Sequence, residues 1–206
     1  MASASSDARS AAPPAVANRF ELALRDARAV LAALDGDAKT RPFVAALVAR
    51  CAAAARAGGK ILVCGNGGSL CDAAHFAEEL TGRFRADRPP IAAIACADAG
   101  HLTCTANDYG FDEVFARWVK ALARPGDVVV LLSTSGKSAN IVKAAEAAKA
   151  AGATTAALLG KGGGPMKGTC DLELVVAGET SDRIQELHMF LLHAVVEGVE
   201  CTLGYV

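Results

Sequence analysis

Between Ile61 and Leu80 the chain reads ILVCGNGGSLCDAAHFAEEL: an apolar run, a Gly-Asn-Gly-Gly-Ser turn, then helical spacing that carries His75 and Glu79. Residues four apart share one helical face, so this imidazole and this carboxylate can reach a common point. The pair suits half of a metal site or a proton-transfer site. Glu78 stands beside Glu79, and the spacing from His75 selects Glu79. Gly67 and Gly68 let backbone approach a ligand closely, and Asn66 and Ser69 offer hydrogen bonds to sugar hydroxyls. A second cluster, STSGKS, sets the hydroxyls of Ser133, Thr134, Ser135 and Ser138 at the mouth of a helix, with Lys137 adding charge. The unpaired N–H groups and the positive dipole of a helix N-terminus favour an anion. Together these make a nest for a phosphate monoester. Capping by Ser135 or Ser138 is the plainer alternative, but four hydroxyls in six residues exceed what a cap needs.

Two familiar phosphate motifs are excluded by spacing. A dinucleotide fingerprint would need glycine where Leu70 stands, and no acidic residue follows at a strand end at the ribose-binding distance. A P-loop would need its first glycine at Leu131.

Elements must position these groups. Apolar residues recur at helical spacing at Phe20, Leu22, Leu24, Ala27, Val30, Leu31 and Leu34, and a second helical stretch runs from Arg41 to Arg56. The spacing predicts a helical hairpin over residues 15–58. Beyond it come five short unbroken apolar runs, KILVC, PIAAIAC, DVVVLL, TTAALLG and LELVV, interleaved with helical segments, and a last helix over residues 181–202. Unbroken β-rich runs alternating with helices predict parallel strands buried on both faces. The chain reads as a single α/β domain over residues 15–206: a doubly wound, flavodoxin-like three-layer sandwich with an N-terminal helical hairpin and an α/β core over 59–206. In such sheets ligands bind at the carboxyl ends of the strands, where both Gly- and Ser-rich loops fall. Residues 1–14, small and polar without an apolar segment, read as a disordered tail.

Composition narrows the function classes. At 206 residues the chain is 52% hydrophobic and 21% charged, with a formal net charge of −1. That balance gives no electrostatic reason to expect nucleic acid or an anionic membrane. No apolar run approaches membrane-spanning length. Seven cysteines, an odd number without a Cys-x-x-Cys pair, read as reduced thiols in a cytoplasmic protein.

The segments GNGGS…DAAHFAEELTGRF, ANDYGF, GDVVVLLSTSGKSANI and DRIQELH…H, in that order from Ile61 to His193, resemble the phosphoheptose isomerase family of the sugar-isomerase (SIS) fold group. The resemblance departs at Leu70, where some members carry histidine or alanine. It implies a five-stranded parallel sheet between helices. It also implies an isomerase converting sedoheptulose 7-phosphate to D-glycero-D-manno-heptose 7-phosphate, the first step toward the heptose of bacterial lipopolysaccharide core. The implied partners are the phosphosugar and further copies of the chain, in a homotetramer with active sites between subunits. The matching positions imply Zn2+ held by His75, Glu79, Gln185 and His193, and sugar contacts from Asn107, Asp108, Asp182 and Gln185.

An aldose–ketose conversion moves a proton between C1 and C2 through an enediol, so it needs a base, a donor for the carbonyl oxygen and stabilisation of the enediolate. Glu79 is the candidate base, and the resemblance supplies His193 as its acid–base partner. Gln185 and His193 are an awkward pair for one ion: eight helical residues span about 12 Å and turn the side chains about 80° apart. His188, three residues after Gln185, fits helical geometry better and is the alternative ligand. Asp182 suits either helix capping or the orientation of a histidine, and Asn107 and Asp108 either a turn or sugar contact. Two other readings remain: a non-catalytic phosphosugar- or protein-binding module, and an isomerase of another sugar phosphate.

Overall fold

The computed structural model describes residues 14–206; the expected tail lies outside the described residues except at Pro14, where the first helix already begins. The hairpin is present as α1 (Pro14–Gly36) and α2 (Thr40–Arg56). Then follow β1 (Ile61–Gly65), α3 (Gly68–Thr81), β2 (Ala93–Ala95), α4 (Ala99–Tyr109) and α5 (Val114–Leu122). The chain ends with β3 (Val128–Ser133), α6 (Ala139–Ala150), β4 (Thr154–Gly160), β5 (Leu172–Val176) and α7 (Ser181–Leu203).

All five strands are parallel, in the order β2-β1-β3-β4-β5. Alternate side chains of each strand feed two separate cores. Ile61, Val63, Val128, Val130 and Leu158 pack with Phe76 of α3 and with Leu191 and Val195 of α7. Their neighbours Leu62, Cys64, Val129, Leu131 and Leu159 pack on the other face with Phe115 and Trp118 of α5 and Ile141 of α6. Burial on both faces is why the strands read as continuous apolar runs. Each fully buried side chain of this size contributes about 1.5–3 kcal/mol.

Two regions differ from the sequence expectation. The run PIAAIAC yields a strand of only three residues at the sheet edge, with Ile94 exposed. Asn107 and Asp108 stand in the last turn of α4 rather than in a loop. Of α4 only Thr105 is buried, so its apolar periodicity is faint.

The strand order places the topological switch between β1 and β3, whose following helices leave in opposite directions along the sheet. Ligand crevices form at the strand ends of such a switch. The 66–69 loop after β1 and the 133–138 loop after β3 lie side by side here, since Gly65 of β1 is in register with Leu132 of β3. Asn66 of the first loop is tied to Asn140 in the first turn of α6, their side-chain amides exchanging two hydrogen bonds of 2.9 Å each.

Candidate active site

The mouth of α3 depends on two glycines. Gly67, its N-cap, has φ 56° and ψ −122°, a conformation that side chains with a Cβ avoid. At Gly68 an added Cβ would lie 2.6 Å from Gln185 Oε1 and 2.7 Å from its Nε2. The Gln185 carboxamide therefore rests against the first turn of α3, and its Nε2 also donates to the buried Ser69 Oγ at 3.4 Å.

Farther along α3, the i,i+4 pair is formed as the spacing predicts: His75 Nε2 stands 3.2 Å from Glu79 Oε1. α7 brings the second imidazole, with His193 Nε2 3.3 Å from the same oxygen. The two rings meet edge to face with centroids 5.2 Å apart, and Phe84 stacks on His193 at 5.8 Å. Ile184, Leu187, Leu191 and Val195 lie buried along one face of α7, a spacing that docks the helix and turns His193 toward α3. The Glu79 side chain is 9% exposed, whereas those of His75 and His193 are 49% and 39% exposed. The carboxylate thus forms the floor of the site and the imidazoles its open rim. Its second oxygen, Oε2, is buried without a hydrogen-bond partner. One turn before His75, Asp72 Oδ2 is likewise unpartnered. Burial pushes the Asp72 carboxyl up, with the His75 imidazole acting against that shift.

The serine cluster is present at the mouth of α6. Ser133 Oγ, buried, accepts from Gly136 N at 3.0 Å, and Ser135 Oγ accepts from Lys137 N at 3.2 Å. Ser138 occupies the N-cap position, yet its side chain makes no capping hydrogen bond, so its hydroxyl is not consumed by the helix. Thr134 Oγ1 lies 3.2 Å from Ser181 Oγ, which also receives Lys161 Nζ at 3.1 Å. Lys161, Ser181 and Asn140 escaped the sequence reading. The signal for Lys161 was its place just beyond the carboxyl end of β4, where ligands gather in this architecture.

His188 departs from its place as alternative ligand. It is fully buried under β4, its Nε2 3.2 Å from the Leu159 carbonyl and its Nδ1 without a partner. Burial lowers its pKa to about 4. It faced the core because Leu187, Leu191 and Leu192 around it do. Gln185 and His193 reach different turns of α3, as their separation along α7 requires. Asp182 does not cap α7, since Thr180 holds that position; it pairs with Arg183 at 3.2 Å. The Thr180 hydroxyl beside it holds its carboxyl below the usual range. Asn107 and Asp108, exposed, bond to each other at 2.8 Å. The seven cysteines are unpaired, and burial pushes Cys51 and Cys96 up to about 12.

Comparison with known proteins identifies the family. The SIS domain family matches residues 25–160. A phosphoheptose isomerase of Fusobacterium nucleatum is 55% identical over 143 residues, 69% of this chain and 74% of that one. Among solved structures, a phosphoheptose isomerase from Neisseria gonorrhoeae superposes with a TM-score of 0.82 at 38% identity, covering 90% of this chain and 99% of that one. One from Francisella tularensis gives 0.85 at 31% identity, covering 90% and 98%. With this identity over most of its length, and with the five-stranded parallel sheet those relatives share, the chain belongs to the SIS-domain family and, within it, to the phosphoheptose isomerases.

Proposed function

We infer that this isomerase interconverts sedoheptulose 7-phosphate and D-glycero-D-manno-heptose 7-phosphate, supplying the heptose of bacterial lipopolysaccharide core. The observation that carries the reading is a buried carboxylate held between two imidazoles, in a chain that also sets a serine cluster at the N-terminus of α6. Ser133, Thr134, Ser135 and Ser138 receive the phosphate, aided by the N–H groups of α6. Asn66, Gly67, Gly68, Ser69 and Gln185 hold the sugar chain, with Asn107, Asp108 and Asp182 as further contacts.

Glu79 takes the C1 proton of the ketose, and the C1–H electron pair becomes the C1–C2 double bond of the enediol. His193 donates a proton to O2 as the carbonyl opens. The reverse transfers, with Glu79 returning its proton to C2 and His193 removing that of O1, yield the aldose.

The residues present fit a metal ion. One ligand atom each from His75, Glu79 and His193 lies within 4.8 Å of the others, two imidazoles and a carboxylate are a zinc-type donor set, and Glu79 Oε2 lacks a partner. Zn2+ there would supply Lewis acidity toward the enediolate oxygens. Gln185, which the resemblance also offers as a ligand, is engaged with Ser69 and is assigned here to the sugar.

A homotetramer is part of the reading, supported by exposed apolar Phe20 and Leu31 on α1 and Phe190 on α7, an area a partner would cover. A cytoplasmic location is also part of it; among the described residues no helix is long and apolar enough to cross a membrane. The test is direct assay with sedoheptulose 7-phosphate, with NMR following exchange of the C1 and C2 hydrogens with solvent. Turnover with exchange is expected. Thermal stabilisation by the phosphosugar without turnover would instead identify a binding module, and turnover confined to a different sugar phosphate would move the substrate.

A further inference from the structure

Arg88, in the connection between α3 and β2, is a buried charge that the chemistry above leaves unused; its side chain is 2% exposed, as is that of its partner Glu200. Every nitrogen of the guanidinium is engaged. Nε donates to Glu200 Oε1 at 2.7 Å, and Nη2 donates to the backbone carbonyl of Glu79 at 2.6 Å. Nη1 donates to the Leu80 carbonyl at 2.7 Å and to that of Pro89 at 3.3 Å. One planar group therefore grips the last-turn carbonyls of α3, including that of the base residue, and ties them to a carboxylate on the helix that carries His193. A cation is favoured at these C-terminal carbonyls. The same connection touches α7 twice more, through Phe84 on the His193 ring and through Arg85 to Glu197. Positions 193, 197 and 200 follow the spacing of one helical face, so the connection lies as a strap along α7.

We propose that Arg88 is a positioning residue: by joining the Glu79 carbonyl to Glu200, it sets the separation between the Glu79 carboxylate and the His193 imidazole. The proposal rests on the acid–base reading above. Apolar side chains of similar volume could replace the ion pair itself, at the cost of the three carbonyl hydrogen bonds. They could not hold two carbonyls and a carboxylate at fixed positions, and lysine, a single donor centre, matches that forked geometry poorly.

The test compares Arg88→Lys, and the paired replacement Arg88→Met with Glu200→Leu that leaves no lone buried charge, with wild type. The measurements are steady-state kinetics on sedoheptulose 7-phosphate and crystal structures. A misplacement of about 1 Å costs up to about 100-fold, so kcat should fall about 10- to 100-fold in both variants, with KM within about twofold. The Glu79–His193 separation in the Arg88→Lys crystal should lengthen beyond hydrogen-bond reach. Wild-type kcat in either folded variant overturns the proposal, as does a loss carried by KM, or a separation unchanged from that in the wild-type crystal. If wild type itself does not turn over this sugar, the functional reading fails, and the separation in the crystals still decides the role of Arg88.

Discussion

The carboxylate of Glu79 and the imidazole of His193 meet at 3.3 Å, although they come from different helices and lie far apart in the sequence. Both side chains reach one point between α3 and α7, where a single reacting carbon could meet carboxylate and imidazole together. Replacing Glu79 by glutamine keeps the shape and removes the base. Glu79→Gln is expected to lower kcat by about 10²–10⁴-fold with unchanged circular dichroism, and to abolish solvent exchange at C1 and C2. Isomerisation at the wild-type rate would show that this carboxylate is not the base.

Metal content tests the three-residue cluster separately. Elemental analysis of purified protein should find zinc, and His75→Ala should reduce it, since the half-exposed imidazole would contribute a ligand without supporting the core. Chelator treatment should lower activity in proportion to the metal lost. Metal-free protein with activity indifferent to chelation would leave these side chains with acid–base roles alone.

Gly68→Ala should impair the site more than the fold. The new Cβ meets only the end of the Gln185 side chain, at 2.6 Å, and a flexible carboxamide can move aside. We expect kcat/KM to fall about tenfold, about 1.4 kcal/mol of transition-state binding, with a melting temperature close to wild type. In the double variant with Gln185→Ala the two losses should not add, because both remove the same contact. Full additivity would mean that the two positions act apart.

Two serines of the cradle should separate in their effects. Ser133 is buried and accepts the Gly136 N–H, so Ser133→Ala leaves a donor unpaired and should cost about 1–3 kcal/mol in urea unfolding. Ser138 makes no side-chain cap bond, so Ser138→Ala should leave stability nearly unchanged while raising KM for the phosphosugar. A stability loss near 1 kcal/mol at Ser138, the usual worth of a helix cap, would return this serine to a capping role.

His188 predicts a pH dependence of stability. Its pKa in the fold is about 4 against an ordinary 6.5, because burial disfavours the imidazolium. The unfolded chain therefore binds the proton first. The stability contributed by the neutral ring is complete above the ordinary pKa and is lost as pH falls toward the folded value, to a limit of about 3 kcal/mol. Urea midpoints compared at about pH 7.5 and about pH 4.5 should differ less in His188→Leu than in wild type. Equal differences would assign the effect to other groups.

The local order of this protein was legible in its sequence. Unbroken runs such as DVVVLL became strands buried on both faces, the His75–Glu79 spacing became a real contact, and the hydroxyls of STSGKS gathered at a helix mouth. These are properties of single elements: continuous apolar runs for strands buried on both faces, and helical spacing for the helices. Only the tertiary structure chose His193 over His188, sent Gln185 to Gly68, paired Asn66 with Asn140 and strapped Arg88 to Glu200. Helical spacing on α7 favoured His188, but a helix's own geometry does not say which face its neighbours cover. The leucines beside His188 turned it into the core and left His193 facing α3, because burying apolar area outweighs the reach of a single imidazole.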